Sequence, residues 1–286
     1  MSAALVGCDF SSSPGKRKAI VLALGSLQAN HVQLQALLRL ASLRAYADWL
    51  EQPRAWIGAF DFPFGLPRNL VQTLGWPLQW HACMAHYAAM SRREIRDCFA
   101  GFCAARPAGN KFAHRATDGP AGSSPSMKWV NPPVAYMLHA GVPPLIAAGV
   151  HIPGLSDGVE SDRNGNGQAR RVALEAYPGM LARELIGRAS YKSDETVRQT
   201  PARSAARRQI IAALQCGENS LGLSLDMQAD THRQIIDDAS GDCLDAALCL
   251  MQAAWGSLRG WPLFGLPVAM DPLEGWIVTA VRQPSE

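Results

Sequence analysis

No two cysteines in this chain are spaced as C-x-x-C, and the seven present are odd in number and scattered from Cys8 to Cys249. That argues against a disulfide framework and fits reduced thiols in a cytosolic protein. No apolar stretch reaches transmembrane length, because Pro and Gly interrupt the best candidate, 141–154. The first residues lack a basic segment leading into a long apolar run and a cleavage site, so the expectation is a soluble, cytoplasmic protein. Neither sign of charge dominates: 27 Lys and Arg against 24 Asp and Glu leave a net charge of +3. That is too little to imply nucleic-acid binding by itself, and the placement of charge has to carry any such argument. Apolar residues are plentiful: 48% of 286 residues are hydrophobic, enough for a large core.

The run from Ala3 to Phe10 shows no helical period and reads as a strand buried on both faces, with Asp9 where the run ends. A Ser-rich turn follows, then Lys16-Arg17-Lys18 and a second strand, Ala19–Leu24. His31–Ala36 alternates polar and apolar, as a half-exposed third strand does. Ser42 caps a helix running through Glu51, and Ala55–Asp61 is a fourth, buried strand ending in a second acid. The prolines and glycine of Phe62–Pro67 end the ladder and open a long insertion over about 62–170. Within it, Trp80–Cys103 reads as helical, and Asn131–Val150 as a short helix broken by Pro143-Pro144.

Arg171–Pro178 restores the sheet with a third acid, Glu175, and Pro178 opens a helix to about Gly187. A basic stretch over 198–208 follows, in which Arg203 and Arg207 share one helix face opposite Ile210 and Leu214. Asp242 and Asp245 begin the most regular helix, whose apolar stripe runs Leu244, Leu248, Met251, Trp255, Leu258. Residues 273–280 read as a last edge strand.

Three acids ending buried strands and two more opening a helix point to a divalent-metal site at one sheet margin. Acids at a helix start also favour the helix dipole, which is the plainer account of Asp242 and Asp245. Two other metal signals fail. His81, Cys83 and His86 have no second cluster of matching spacing, and read as residues of an ordinary helix. Asp162–Gly167 matches the start of a calcium loop, but its twelfth position is Ala173 instead of a bidentate Glu, so it reads as a turn. The segment 106–115, with Lys111 and Arg115, combines cations with an aromatic and glycine. It is a phosphate or nucleic-acid contact loop or, more plainly, a solvated one, and the same choice holds for Arg203 and Arg207.

In order, these pieces look like an RNase-H-like α/β fold: a mixed sheet flanked by helices, one domain over 1–286 carrying the 62–170 insertion. The chain resembles domain-of-unknown-function family 429, a family of predicted RNase-H-like nucleases. The resemblance rests on Gly7-Cys8-Asp9-Phe10-Ser11, Asp61–Pro67, Glu175-Ala176-Tyr177-Pro178, Tyr191-Lys192, and Asp242-Cys243-Leu244-Asp245-Ala246. The last motif also looks like the catalytic helix of bacterial Holliday-junction resolvases. What the resemblance implies is a cluster of Asp9, Asp61, Glu175 and Asp245, with Asp242 as an alternate or added ligand. Such a cluster holds Mg2+ or Mn2+, with two ions about 4 Å apart activating water at a phosphodiester of DNA or RNA. Asp9 would bridge both ions, and Lys192 or an arginine of 198–208 would neutralise phosphate charge.

Two rivals stay open. One is an RNase-H-like binding or scaffold protein without activity. The other is an ATP-binding phosphotransferase of the actin/hexokinase type, which needs later Gly-rich turns and a duplicated sheet that are not visible here. The sequence leaves open DNA against RNA, the pathway and the oligomeric state.

Overall fold

A computed structural model describes residues 4–280, so Ala3, expected in the first strand, lies outside them. The chain begins with β1 (Ala4–Asp9), buried from Leu5 to Asp9. Strands β2 (Ile20–Gln28) and β3 (His31–Leu40) pair antiparallel to it in a meander. Both run longer than the hydrophobic pattern suggested: β2 continues through partly exposed Ser26 and Leu27, and β3 through Leu37–Leu40, where Leu38 and Arg39 are exposed and Leu40 is buried. Helix α1 (Leu43–Leu50) starts where Ser42 accepts a hydrogen bond from the Ala45 amide, and β4 (Trp56–Phe60) pairs parallel to β1.

The insertion folds into α2 (Arg68–Thr73), α3 (Trp80–Ala89), α4 (Arg92–Ala104), the one-turn α5 (Asp118–Ala121) and α6 (Val134–Ala147). The helical stretch expected over 80–103 is thus two helices, because Ser91 and Glu94 form a capping box that starts a new one. Helix α6 corrects the expected break at Pro143-Pro144: it runs through both. Its buried face (Ala135, Leu138, Val142, Leu145) and the fit of Gly141 against the Phe62 ring offset the two missing donors.

Strand β5 (Arg171–Glu175) pairs parallel to β4 and leads to α7 (Pro178–Ile186) and α8 (Pro201–Cys216). Besides α2 and α5, two later elements had no sequence expectation: β6 (Ser224–Met227), parallel to β3, and α9 (Ala229–Asp237). The last helix is α10 (Asp242–Arg259). Its burial is nearly all-round, not one stripe, and Leu258 lies exposed. Residues 273–280 form no strand; they pair with the sheet at one isolated bridge, between Glu175 and Ile277, and Trp276, Ile277 and Val278 pack with Val172 and Leu174 of β5.

The result is an α/β fold around a six-stranded mixed sheet ordered β5-β4-β1-β2-β3-β6. Alternation along the central strands feeds two cores. Val6, Cys8, Ile20 and Leu22 meet α1, α3 and α6 on one face; Leu5, Val21 and Ala23 meet α8, α9 and α10 on the other. All seven cysteines are free, and no described helix is long and apolar enough to cross a membrane.

Candidate active site

Parallel strands β5, β4 and β1 lie side by side, and each ends in an acid. Asp9 closes β1, Glu175 closes β5, and Asp61 follows the last residue of β4, its amide donating to the Cys8 carbonyl at 2.9 Å. Position 9 shares its strand face with Leu5, the α10 side. Gly7 sets how near α10 can come: a Cβ there would lie 2.0 Å from the Ala246 carbonyl oxygen and 2.2 Å from the Leu250 nitrogen. Because the glycine lets helix backbone rest on strand backbone, Asp242 and Asp245 arrive beside Asp9. Both are buried.

The acids border a cavity of ≈ 610 Å³ whose floor carries Asp9, Asp61 and Glu175. Its walls come from the insertion (Pro133, Met137) and from α7 and the segment after it (Ala182, Lys192). Asp245 and Asp242 stand behind this floor, each held by a lysine. Tyr191 Oη donates to Asp245 Oδ1 at 2.6 Å, and the Lys192 ammonium donates to Oδ2. Lys18 Nζ lies 2.6 Å from Asp242 Oδ1 and 2.9 Å from exposed Asp194. Lys18 was not expected at the site. The antiparallel register that sets Asp9 opposite Val21 folds it back beside the acids, and only strand pairing carries that information.

Glu175 is spent differently. Its Oε1 accepts from Arg115 Nη2 at 2.6 Å, and its Oε2 from Arg115 Nη1 at 2.8 Å and from the Phe64 amide at 2.9 Å. Asp118 takes the rest of the same guanidinium, and Glu274 accepts from the Ala116 amide. None of the sequence arguments pointed to Asp118 or Glu274, since their partners come from the insertion and the chain end.

By contrast, no side chain or amide among the described residues donates a hydrogen bond to the carboxylate of Asp9 or Asp61. Burial pushes the Asp9 carboxyl well above the usual range, and Asp245 and Asp242 add to the shift while Lys192 opposes it. Asp61 is pushed up to about 7, by burial first and then by Asp245. Burial works against the Lys192 ammonium, but Asp245, Tyr191 and Asp9 outweigh it and hold its pKa well above normal.

The expected cationic contacts fare unevenly. Lys111 is exposed but lies outside the cavity lining. Arg115 lines the cavity yet is 3% exposed and committed to Glu175 and Asp118, so the segment 106–115 ends in a fixed anchor, not an open contact loop. Arg207 is buried too, and corrects the picture of a solvated cationic face. It donates to the carbonyls of Tyr191 at 2.7 Å and Ile236 at 2.9 Å, bracing the segment that carries Lys192. Arg203 bonds to Ser190 Oγ and to the Arg198 carbonyl.

Among the described residues, no three His, Cys, Asp or Glu side chains form a ready cage for a metal ion. Ammonium groups sit on Asp242 and Asp245, and a guanidinium on Glu175. Asp9, which is buried, and Asp61, which is partly exposed, remain as oxygen donors with no partner, which suits a hard divalent cation. No family model, curated protein or solved structure matches the chain.

Proposed function

We propose that this chain is a divalent-metal-dependent nuclease that hydrolyses phosphodiesters of DNA or RNA on an RNase-H-like fold. In support of the fold, an antiparallel meander β1-β2-β3 is extended on the β1 side by parallel β4 and β5, and an acid-bearing helix crosses the central strand. One observation carries the chemistry: Asp9 and Asp61 lie side by side on the cavity floor without a hydrogen-bond donor, next to two lysines.

Mg2+ or Mn2+ held by Asp9 and Asp61 would supply Lewis-acid activation of water and of the phosphoryl oxygens. The chain's own groups do the rest. Lys192 and Lys18, each a little under half exposed (44% and 43% of the side chain), present positive charge where a phosphate enters. Arg115 fixes Glu175 and ties the insertion to the sheet end. Binding without turnover is the second reading, favoured by the saturation of Asp245 by Tyr191 and Lys192.

The test is a panel of single-stranded, duplex, hybrid and branched DNA and RNA with Mg2+ or Mn2+, run beside Asp9→Asn. Metal-dependent cleavage lost in Asp9→Asn is the expected result, with binding that weakens steeply as salt rises. An intact panel, or cleavage by Asp9→Asn equal to that of the native chain, overturns the nuclease. Salt-sensitive binding to an intact panel establishes the second reading.

A further inference from the structure

Oxygen by oxygen, the five acids fall into two groups. Asp245 is fully buried, and both its oxygens accept hydrogen bonds, from Tyr191 and Lys192. Both oxygens of Glu175 are taken by Arg115 and the Phe64 amide. Asp242 gives Oδ1 to Lys18, and its buried Oδ2 has only Arg39 at 4.0 Å. Asp9 and Asp61 have no donor at all, and Asp9, at 7% exposure, faces the cavity.

From this division we infer that the site takes one divalent cation, at Asp9 and Asp61, and that the Lys192 ammonium on Asp245 stands where a second ion would bind. The inference rests on the reading that the cavity holds a divalent metal, and it replaces the two-ion arrangement that the family resemblance implies.

Charge and anchoring both support it. Asp9, Asp61, Asp242 and Asp245 bring four negative charges, and Lys18 and Lys192 two positive ones. At the rim, exposed Asp194 beside Lys18 and half-exposed Arg39 beside Asp242 offset each other. Within this group two negative charges remain, which one divalent ion balances; beside it Glu175 and Asp118 share Arg115 and add one more negative charge. Nor is Lys192 a loose surface side chain. The Tyr191 ring before it is buried, Arg207 holds the Tyr191 carbonyl, and the Ser193 amide after it donates to Ala239 at 3.0 Å. Its stem rests on Gly241, where a Cβ would come within 2.6 Å of Lys192 Cβ; the φ of +80° there also calls for glycine. The ammonium is therefore delivered by a braced segment and holds its place without metal.

The experiment is Mn2+ titration of the full, metal-stripped chain by calorimetry, with electron paramagnetic resonance reporting whether bound ions are coupled. The native chain is expected to bind one Mn2+ with an uncoupled spectrum, and Asp9→Asn to bind none. Lys192→Met is expected to bind a second Mn2+ and show a coupled spectrum, while Lys192→Arg stays at one. Two ions in the native chain overturn the inference and leave the nuclease reading standing. One ion that survives in Asp9→Asn also overturns it, as does a folded Lys192→Met with a single ion. No binding in the native chain overturns both readings. Should Lys192→Met fail to fold, the native stoichiometry and Lys192→Arg still decide. A one-ion result with an uncleaved panel removes the nuclease and leaves the one-ion site.

Discussion

Asp61→Asn should make the metal-free protein more stable at pH 8. The native carboxyl sits near strand β4 with its pKa at about 7, raised by burial and by Asp245 from an ordinary value of 3.8. The folded state therefore keeps a proton through the pH range in which the unfolded chain releases it. Stability from this group is complete below the unfolded pKa and is lost as pH rises through the folded one. Three pKa units at about 1.4 kcal/mol each bound the loss at about 4 kcal/mol. Partial solvent access at Asp61 screens the repulsion and brings the expected gain of Asp61→Asn to about 2 kcal/mol. With an unfolding entropy on the order of 0.6 kcal/mol/K for a chain this long, that is roughly 3 °C. The assay is thermal unfolding in chelator at pH 8 and pH 5, and the gap should shrink below about 1 kcal/mol at pH 5. Adding Mn2+ should raise the native midpoint and leave that of Asp61→Asn nearly unmoved. A variant no more stable than the native chain at pH 8, or a gap that is equal at both pH values, refutes the reasoning.

Gly7→Ala should destabilise severely, because its methyl meets helix backbone that no rotamer change can move; a cost above about 3 kcal/mol in denaturant midpoints is expected. Arg115→Met leaves buried Glu175 and Asp118 without their shared cation and should cost about 3–5 kcal/mol, with Glu175→Gln on the same chain restoring part of it in a double-mutant cycle. Arg207→Met strips the donor from the Tyr191 and Ile236 carbonyls and should cost about 2 kcal/mol by chemical denaturation. Its nucleic-acid affinity should keep the native salt slope, since this arginine reaches no phosphate; a shallower slope would return it to the contact surface.

Local sequence determined the parts whose causes are local. The unbroken apolar runs at Leu5–Cys8 and Trp56–Phe60 specify strands covered on both faces, and the acid after each run falls at a strand end because the run stops there. Ser42 and Pro178 start helices through their own side chains, and the first turn of α10 carries its two acids by spacing alone. What tertiary structure decided lies where the partner is remote. Strand β6 is four residues long and gains its order from β3, whose paired residues lie 193 positions earlier in the chain (His31 with Ser224), so no periodicity announces it. Residues 273–280 have strand composition but form only one bridge, because they turn over the end of β5 instead of extending beside it. Arg115 and Arg207 read as cations for a phosphate, yet each is buried on acceptors brought from 60 and 29 residues away. The acid cluster divides in the same manner. All five carboxylates stand out in the sequence, but which of them stay unpartnered depends on where Lys18, Lys192 and Arg115 come to rest. Charge along a chain is local, whereas its compensation is a matter of distance in the folded molecule.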